Sequence, residues 1–177
     1  MFEHRCAGVL LPVFSLPGPY GIGTMGKQAR EFVDFLADAG QSYWQILPLV
    51  PPGDGDSPYM SPSTFAGNPL LIDLDELAEQ GLLTPEELES ARYDDPDHVD
   101  YKFLHATRLE LLKKAFERAP APKSKWPWLK DYARFMALHD RYGTAWQSWP
   151  KKRRAPERKL WLSTPSCRSP SSASGTR

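Results

Sequence analysis

Gly8-Val9-Leu10-Leu11-Pro12-Val13 is a short, unbroken apolar run bounded by turn formers, the pattern of a strand buried on both faces as in a parallel sheet. Further along, Ala29, Phe32, Val33 and Leu36 recur at i, i+3, i+4 and i+7 between Lys27 and Ala39. That spacing predicts an amphipathic helix, with Thr24 as its N-cap and Gly40 just past its end. Ser42 to Leu49 then turns extended again, its centre Tyr43-Trp44-Gln45-Ile46-Leu47 being rich in residues that suit a pleated, buried surface. Strand, helix and strand in succession make a βαβ unit, whose crossover is right-handed by a strong general rule. The fold class is α/β.

Beyond this unit lies a long irregular segment, Pro51 to Asn68, made mostly of Gly, Pro, Ser and Asp with Tyr59 and Phe65 embedded in it. Loops of that length are usually functional or disordered. Leu70-Leu71-Ile72-Asp73-Leu74 resumes a regular run and is a candidate third strand. A complete helix start follows in Leu83-Thr84-Pro85-Glu86-Glu87-Leu88, with Thr84 at N-cap, Pro85 at N1, Glu87 closing a capping box and Leu83 stapled to Leu88. Two further helices are predicted, from about Asp100 to Arg118 with Leu104, Leu111, Leu112 and Ala115 on one stripe, and from about Trp128 to Tyr142, ending at Gly143. All strands thus precede residue 75 and residues 80–145 are helical. Such a chain does not close an eight-stranded barrel, which takes roughly 250 residues; either its sheet is small and open or the fold continues elsewhere.

The 177 residues are 41% hydrophobic and 12% aromatic, enough to bury one core of ordinary size, and 18 prolines set rigid loops between the elements. Net charge is zero, which favours neither nucleic acid nor an acidic surface as partner. The charge is unevenly placed: residues 1–150 carry 14 Lys+Arg against 21 Asp+Glu, and residues 151–177 carry 8 against 1. Cys6 and Cys167 stand far apart, giving neither a disulfide framework nor a zinc spacing, as in a reducing compartment. No apolar run reaches signal-peptide length near Met1 or the roughly 18–20 residues of a membrane helix, so a cytoplasmic location and no membrane partner are expected.

Three motifs invite a function and are better read as structure. Gly21-Ile22-Gly23-Thr24-Met25-Gly26 matches the dinucleotide fingerprint in form, but Phe14 to Tyr20 separate it from the strand and Leu47-Pro48-Leu49-Val50 carries no acid for a ribose. Its glycines instead allow positive φ and close approach of helix and sheet. Asp54-Gly55-Asp56-Ser57 lacks the spacing of a calcium loop and reads as a solvated turn. His4, His98, His105 and His139 show no ligand spacing to one another, so none is assigned a metal-binding role.

A sugar ring presents an apolar face of C–H bonds and a rim of hydroxyls, so its sites pair a flat aromatic with short polar groups on loops. Ser57-Pro58-Tyr59 and Ser61 to Asn68 have that character. In a parallel fold they lie beyond the carboxyl end of the second strand, where such folds bind ligands. Tyr59 is either a ligand platform or a pin that holds the loop to the core.

Leu10-Leu11-Pro12-Val13-Phe14-Ser15-Leu16-Pro17-Gly18-Pro19-Tyr20-Gly21-Ile22-Gly23, Ala39-Gly40-Gln41-Ser42-Tyr43-Trp44-Gln45-Ile46-Leu47-Pro48-Leu49, Gly55-Asp56-Ser57-Pro58-Tyr59 and Phe65-Ala66-Gly67-Asn68-Pro69 resemble the amino-terminal part of the 4-α-glucanotransferases, or amylomaltases, of glycoside hydrolase family 77. Asp131-Tyr132-Ala133-Arg134-Phe135-Met136-Ala137-Leu138 continues the likeness, which covers residues 5 to about 150. The resemblance implies a (β/α)8 barrel with helical insertions and a retaining enzyme that moves α-1,4-glucan segments between maltodextrins in the cytoplasm without metal or nucleotide. It implies that Tyr59 stacks on the sugar next to the scissile bond and that Ser57 lies in the same donor site. Residues 1–79 would be the first βαβ part of the barrel, residues 80–150 a helical insertion, and residues 151–177 a basic, Ser/Pro-rich disordered tail.

Two departures qualify that expectation. Retaining transfer uses two carboxyl groups about 5–5.5 Å apart across the glycosidic bond. In the family these come from later barrel strands, so no catalytic residue is assigned here, and a truncated fragment inactive by itself is expected. The alternative is a non-catalytic maltodextrin-binding module. In the tail, Lys151-Lys152-Arg153-Arg154 leads into Ser163-Thr164-Pro165-Ser166-Cys167-Arg168-Ser169-Pro170, too polar to pack. It is either a basic arm for an anionic surface or, the favoured reading, the product of a lost reading frame near residue 152, with the family likeness ending at about residue 155.

Overall fold

The computed structural model describes residues 5–95, 98–120, 126–143 and 146–154, in two compact units, one reaching Pro120 and the other beginning at Ala121. In the first unit β1 (Gly8–Leu10) and β2 (Tyr43–Gln45) pair in parallel, Val9 opposite Trp44, with α1 (Lys27–Asp38) between them in the chain. The βαβ unit is therefore present. Its strands are shorter than their apolar runs and are not buried on both faces: Leu10 is 57% exposed. Among the described residues the sheet has two strands; one face meets α1, where Trp44 packs edge-on to Phe32 at 5.0 Å between ring centroids, and on the other Leu10 and Tyr43 stay about half-exposed. The last ladder bond runs from Leu11 N to Gln45 O, after which Val13–Ser15 forms a 3-10 turn and Val13 enters the core.

The ends of α1 show one expectation met and one corrected. Gly40 takes φ +66 just past the helix, and the bonds Gly40 N to Ala37 O and Gln41 N to Leu36 O make a Schellman motif. At the other end Gly26, not Thr24, is the N-cap. The Thr24 hydroxyl donates to Asp73 Oδ2 at 2.5 Å, and a Cβ on Gly26 would overlap that same carboxylate, so the helix starts where the chain packs against Asp73. Ala29 and Leu36 are buried as predicted, while Val33 stays half-exposed at the edge of the covered stripe.

Leu70 to Leu74 forms no strand. Pro69–Leu71 is a 3-10 turn in which Asn68 Oδ1 accepts from Leu70 N, and α2 (Leu74–Glu79) starts at once, with Asp73 Oδ1 accepting from Glu76 N. Two side-chain caps within six residues commit this run to helical turns despite its β-favouring composition. α3 (Pro85–Glu89) carries the predicted capping box, its two bonds 3.3 Å and 3.0 Å long, and Leu83 and Leu88 join one apolar cluster.

α4 (Tyr101–Arg118), capped by Asp100, binds the first unit together. Its Leu104 packs with Val13, Leu16, Ile22, Ala29, Leu70 and Leu71, and its Leu111 and Ala115 pack with Tyr20, Leu74, Leu83 and Ala91. Between them on the same stripe lies Arg108, 1% exposed. Its Nη2 donates to Ile72 O, while Nε and Nη1 have no hydrogen-bond partner among the described residues. Burial pushes the guanidinium down to about 10, against the pull of Asp73, Tyr20 and Asp75, so it remains a cation at neutral pH.

In the second unit α5 (Leu129–Tyr142) ends on Gly143 at φ +58, as its sequence predicts. Buried Trp149 packs against Phe135 and Tyr142, with ring centroids 5.5 Å and 6.1 Å away. Lys151 to Arg154, expected to be disordered, form a helical turn, α6 (Lys151–Arg154). Arg154 Nε donates to Trp149 O at 2.7 Å, which ties this basic run to the aromatic cluster. The rest of the tail, from residue 155, lies outside the described residues, as do His4 and Cys167. Among the described residues no helix is long and apolar enough to cross a membrane.

Candidate functional site

The loop between β2 and α2 departs from the carboxyl end of the sheet. Its base is closed by a bond from Asn68 N to Leu49 O at 2.8 Å, so the ends of this long segment lie side by side. Inside, the chain folds on itself: Asp54–Asp56 is a 3-10 turn, Asp56 N donates to Gly53 O, Gly53 N donates to Ser57 O, and Met60 N donates to Ser57 O. Gly53 lies so close to the Met60 carbonyl that a Cβ there would overlap it. The farther limb is held by serines, Ser61 Oγ donating to Ser63 O while Ser63 Oγ accepts from Phe65 N and Ala66 N.

Local bonds of this kind satisfy the backbone and leave the large side chains outside. Tyr59 is 72% exposed and Phe65 71%, with Met60 between them in the chain also well exposed. Tyr59 does not pin the loop to the core; its ring is free to receive a flat apolar surface. Ser57 is half-buried, and its Oγ accepts from Tyr59 N at 3.3 Å, so the two residues singled out in the sequence belong to one turn.

Other acids near the strand ends are engaged structurally. Asp73 is buried against Thr24 and the first turn of α2, and Asp75 accepts from the Tyr20 hydroxyl at 2.5 Å. Burial together with that bond raises the Tyr20 pKa above its ordinary value, so it stays neutral. Asp54–Asp56 is a single short turn, so these two acids sit almost adjacent in the chain. Asp56 stays partly solvated in this turn, as its sequence suggested, and in addition its Oδ1 is 3.2 Å from His105 Nε2 on α4, across 49 residues of chain. Nothing local in the sequence signals that pairing. Among the described residues no group of three or more His, Cys, Asp or Glu could hold a metal ion.

The glycine run likewise has a packing role. Gly21 sits at φ +73 against the Tyr93 ring, and Gly23 lies so close to Val13 O that no Cβ would fit.

The family model for glycoside hydrolase family 77, described as 4-alpha-glucanotransferase, matches residues 11–166. The chain belongs to this family. It is 45% identical over 174 residues to the 4-alpha-glucanotransferase of Thermus thermophilus, a match covering 88% of this chain and 33% of that protein. With the chloroplastic/amyloplastic 4-alpha-glucanotransferase of Solanum tuberosum the identity is 40% over 171 residues, covering 84% and 29%. Among solved structures it superposes on the amylomaltase of Streptococcus agalactiae in complex with acarbose with a TM-score of 0.77 at 39% identity, covering 84% of this chain and 32% of that one. The chain thus spans about a third of the length of the glucanotransferases it matches, and its described residues form an α/β fragment without a closed barrel. The family match also runs past residue 155, where the likeness was expected to stop, into the tail for which a lost reading frame was the favoured reading.

Proposed function

We propose that this chain supplies the donor-side sugar platform of a retaining 4-α-glucanotransferase acting on α-1,4-glucans in the cytoplasm, and that it does not transfer glucan by itself. The observation that carries the reading is the exposure of Tyr59 on a loop closed at its base at the carboxyl end of a parallel strand pair. Tyr59 offers the aromatic face, stacking on the sugar next to the scissile bond, and Ser57 fixes the turn that presents it. In this reading residues 1–79 are the first βαβ part of a (β/α)8 barrel and residues 80–150 a helical insertion. The carboxyl pair that retaining transfer needs has no counterpart in this loop, and neither metal nor nucleotide takes part.

Incubation of the pure chain with maltotriose tests the reading directly: no glucose and no longer oligomers are expected, and product at enzyme-like rates would overturn it. Calorimetry with maltoheptaose then separates a platform that still binds from one that does not. Heat of binding that disappears in Tyr59→Ala supports the platform. Retention of that binding in the variant would remove Tyr59 from the site and leave a maltodextrin-binding module of another design.

A further inference from the structure

We infer that His105 is a positioning residue for the Tyr59 loop, acting through Asp56. This rests on the reading of that loop as a sugar platform. The geometry behind it has four parts. First, His105 Nε2 and Asp56 Oδ1 are 3.2 Å apart and join two segments distant in the chain. Second, the support is rigid: His105 projects from α4, whose neighbouring stripe of Leu104, Arg108 and Leu111 is anchored in the core, so the ring is presented from a fixed frame.

Third, Asp56 is the point at which the loop most needs an external hold. It takes φ +56 directly after Gly55 at φ +69, the left-handed region that costs a residue with a Cβ something even though Asp tolerates it better than most. Asp can satisfy part of that demand with a short polar side chain, and here the side chain is directed to α4. Tyr101, one turn before His105 on the same helix, also feels the Asp56 carboxylate, which adds to burial in raising the Tyr101 pKa. Tyr101 thus lies within electrostatic reach of the carboxylate that His105 contacts.

Fourth, the hold is transmitted. Gly53, Asp56, Ser57 and Met60 are tied by the bonds Asp56 N to Gly53 O, Gly53 N to Ser57 O and Met60 N to Ser57 O, so the turn moves as one body and Tyr59 moves with it. Releasing Asp56 frees the left-handed turn to relax and lets the Tyr59 ring sample directions that do not meet a sugar face. His105 never touches the sugar in this scheme. Its effect is on how often the platform is correctly aimed, which lowers apparent affinity in proportion to the competent fraction.

The test uses the full chain with His105→Phe, which keeps a ring but removes the donor, and His105→Gln, which keeps a donor. Hydrogen–deuterium exchange of residues 51–68 is read beside the maltoheptaose dissociation constant. His105→Phe should speed loop exchange by about tenfold while exchange in α2 and α4 is unchanged, and should weaken binding several-fold; His105→Gln should stay near the parent in both. Unchanged loop exchange in His105→Phe, or acceleration spread equally over the first unit, overturns the proposal. Faster loop exchange in a set where no protein, parent included, binds maltoheptaose supports the clamp and defeats the sugar-platform reading instead.

Discussion

The interior around α4 and the loop carrying Tyr59 lie in the same unit and treat their polar groups in opposite ways. Around Arg108, charges and hydroxyls are buried and reach across the chain: Thr24 to Asp73, Tyr20 to Asp75, and Arg108 to the carbonyl of Ile72. In the loop, the serines bond to neighbours two or three residues away, as Ser57 does with Tyr59 and Ser63 with Ala66, Asp56 reaches out to His105, and the large apolar side chains are left in solvent. The first arrangement positions elements against one another. The second makes a stiff surface whose shape does not depend on burying its own aromatics, so an incoming ligand can bury them instead.

The largest effect should come from the interior. Arg108→Ala removes the buried cation that Asp73, Tyr20 and Asp75 attract, strips Ile72 O of its donor and opens a cavity, which should cost about 3–5 kcal/mol in urea melts. Arg108→Met should cost clearly less, since it also removes two nitrogens without partners among the described residues and refills the space. Equal losses in the two variants would mean that the guanidinium and its bond to Ile72 O, not the volume, are what this position supplies. Gly26→Ala comes next: its Cβ would overlap the Asp73 carboxylate, and roughly 1–3 kcal/mol of destabilisation is expected, visible as a lower melting temperature.

The loop should behave oppositely. Tyr59→Ala, at an exposed position, should leave the melting temperature within a degree or two and weaken maltoheptaose by about tenfold or more. A large fall in stability without a change in affinity would make Tyr59 part of the core and erase the contrast between the two regions. The smallest effect concerns acid. Arg118 donates to Glu87 at 2.6 Å and 2.9 Å, and with the backbone of Thr84 holds its carboxyl down to about 2. Because the folded value is depressed, this contribution is complete above the ordinary carboxylate range near 4.3 and is lost as pH falls toward 2. Melting temperatures of the parent and Glu87→Gln should therefore differ at pH 5 and converge near pH 2; a constant gap would assign the difference to packing.

Short-range features were legible in the residues themselves. The Thr84 to Glu87 capping box, the Schellman end at Gly40 and the left-handed stop at Gly143 each depend on a few consecutive residues, and each forms as read. The turn that joins Ser57 to Tyr59 and leaves the ring exposed is a local event of the same kind. The misreadings have two different causes. Thr24 was read as a helix cap and serves Asp73 instead, and Leu70 to Leu74 was read as a continuing extended run and is committed to helical turns by Asn68 and Asp73. Asp73 enters both, across 49 residues in the first and, in the second, through a local cap on Glu76 N whose spacing the sequence already carried.

Taken alone, the sequence was enough to specify a βαβ start, a helical block after residue 80, an aromatic-bearing polar loop between them, and the family to which these belong. Periodicity, capping and turn chemistry act over one to four residues and are written in that range. Only the tertiary structure decided that Arg108 is interior, that Asp73 serves two elements at once, that the strands stay exposed on one face, and that His105 reaches Asp56. Those outcomes depend on which distant surfaces meet and on how far water is kept from a charge, quantities that exist only once the chain has closed around them.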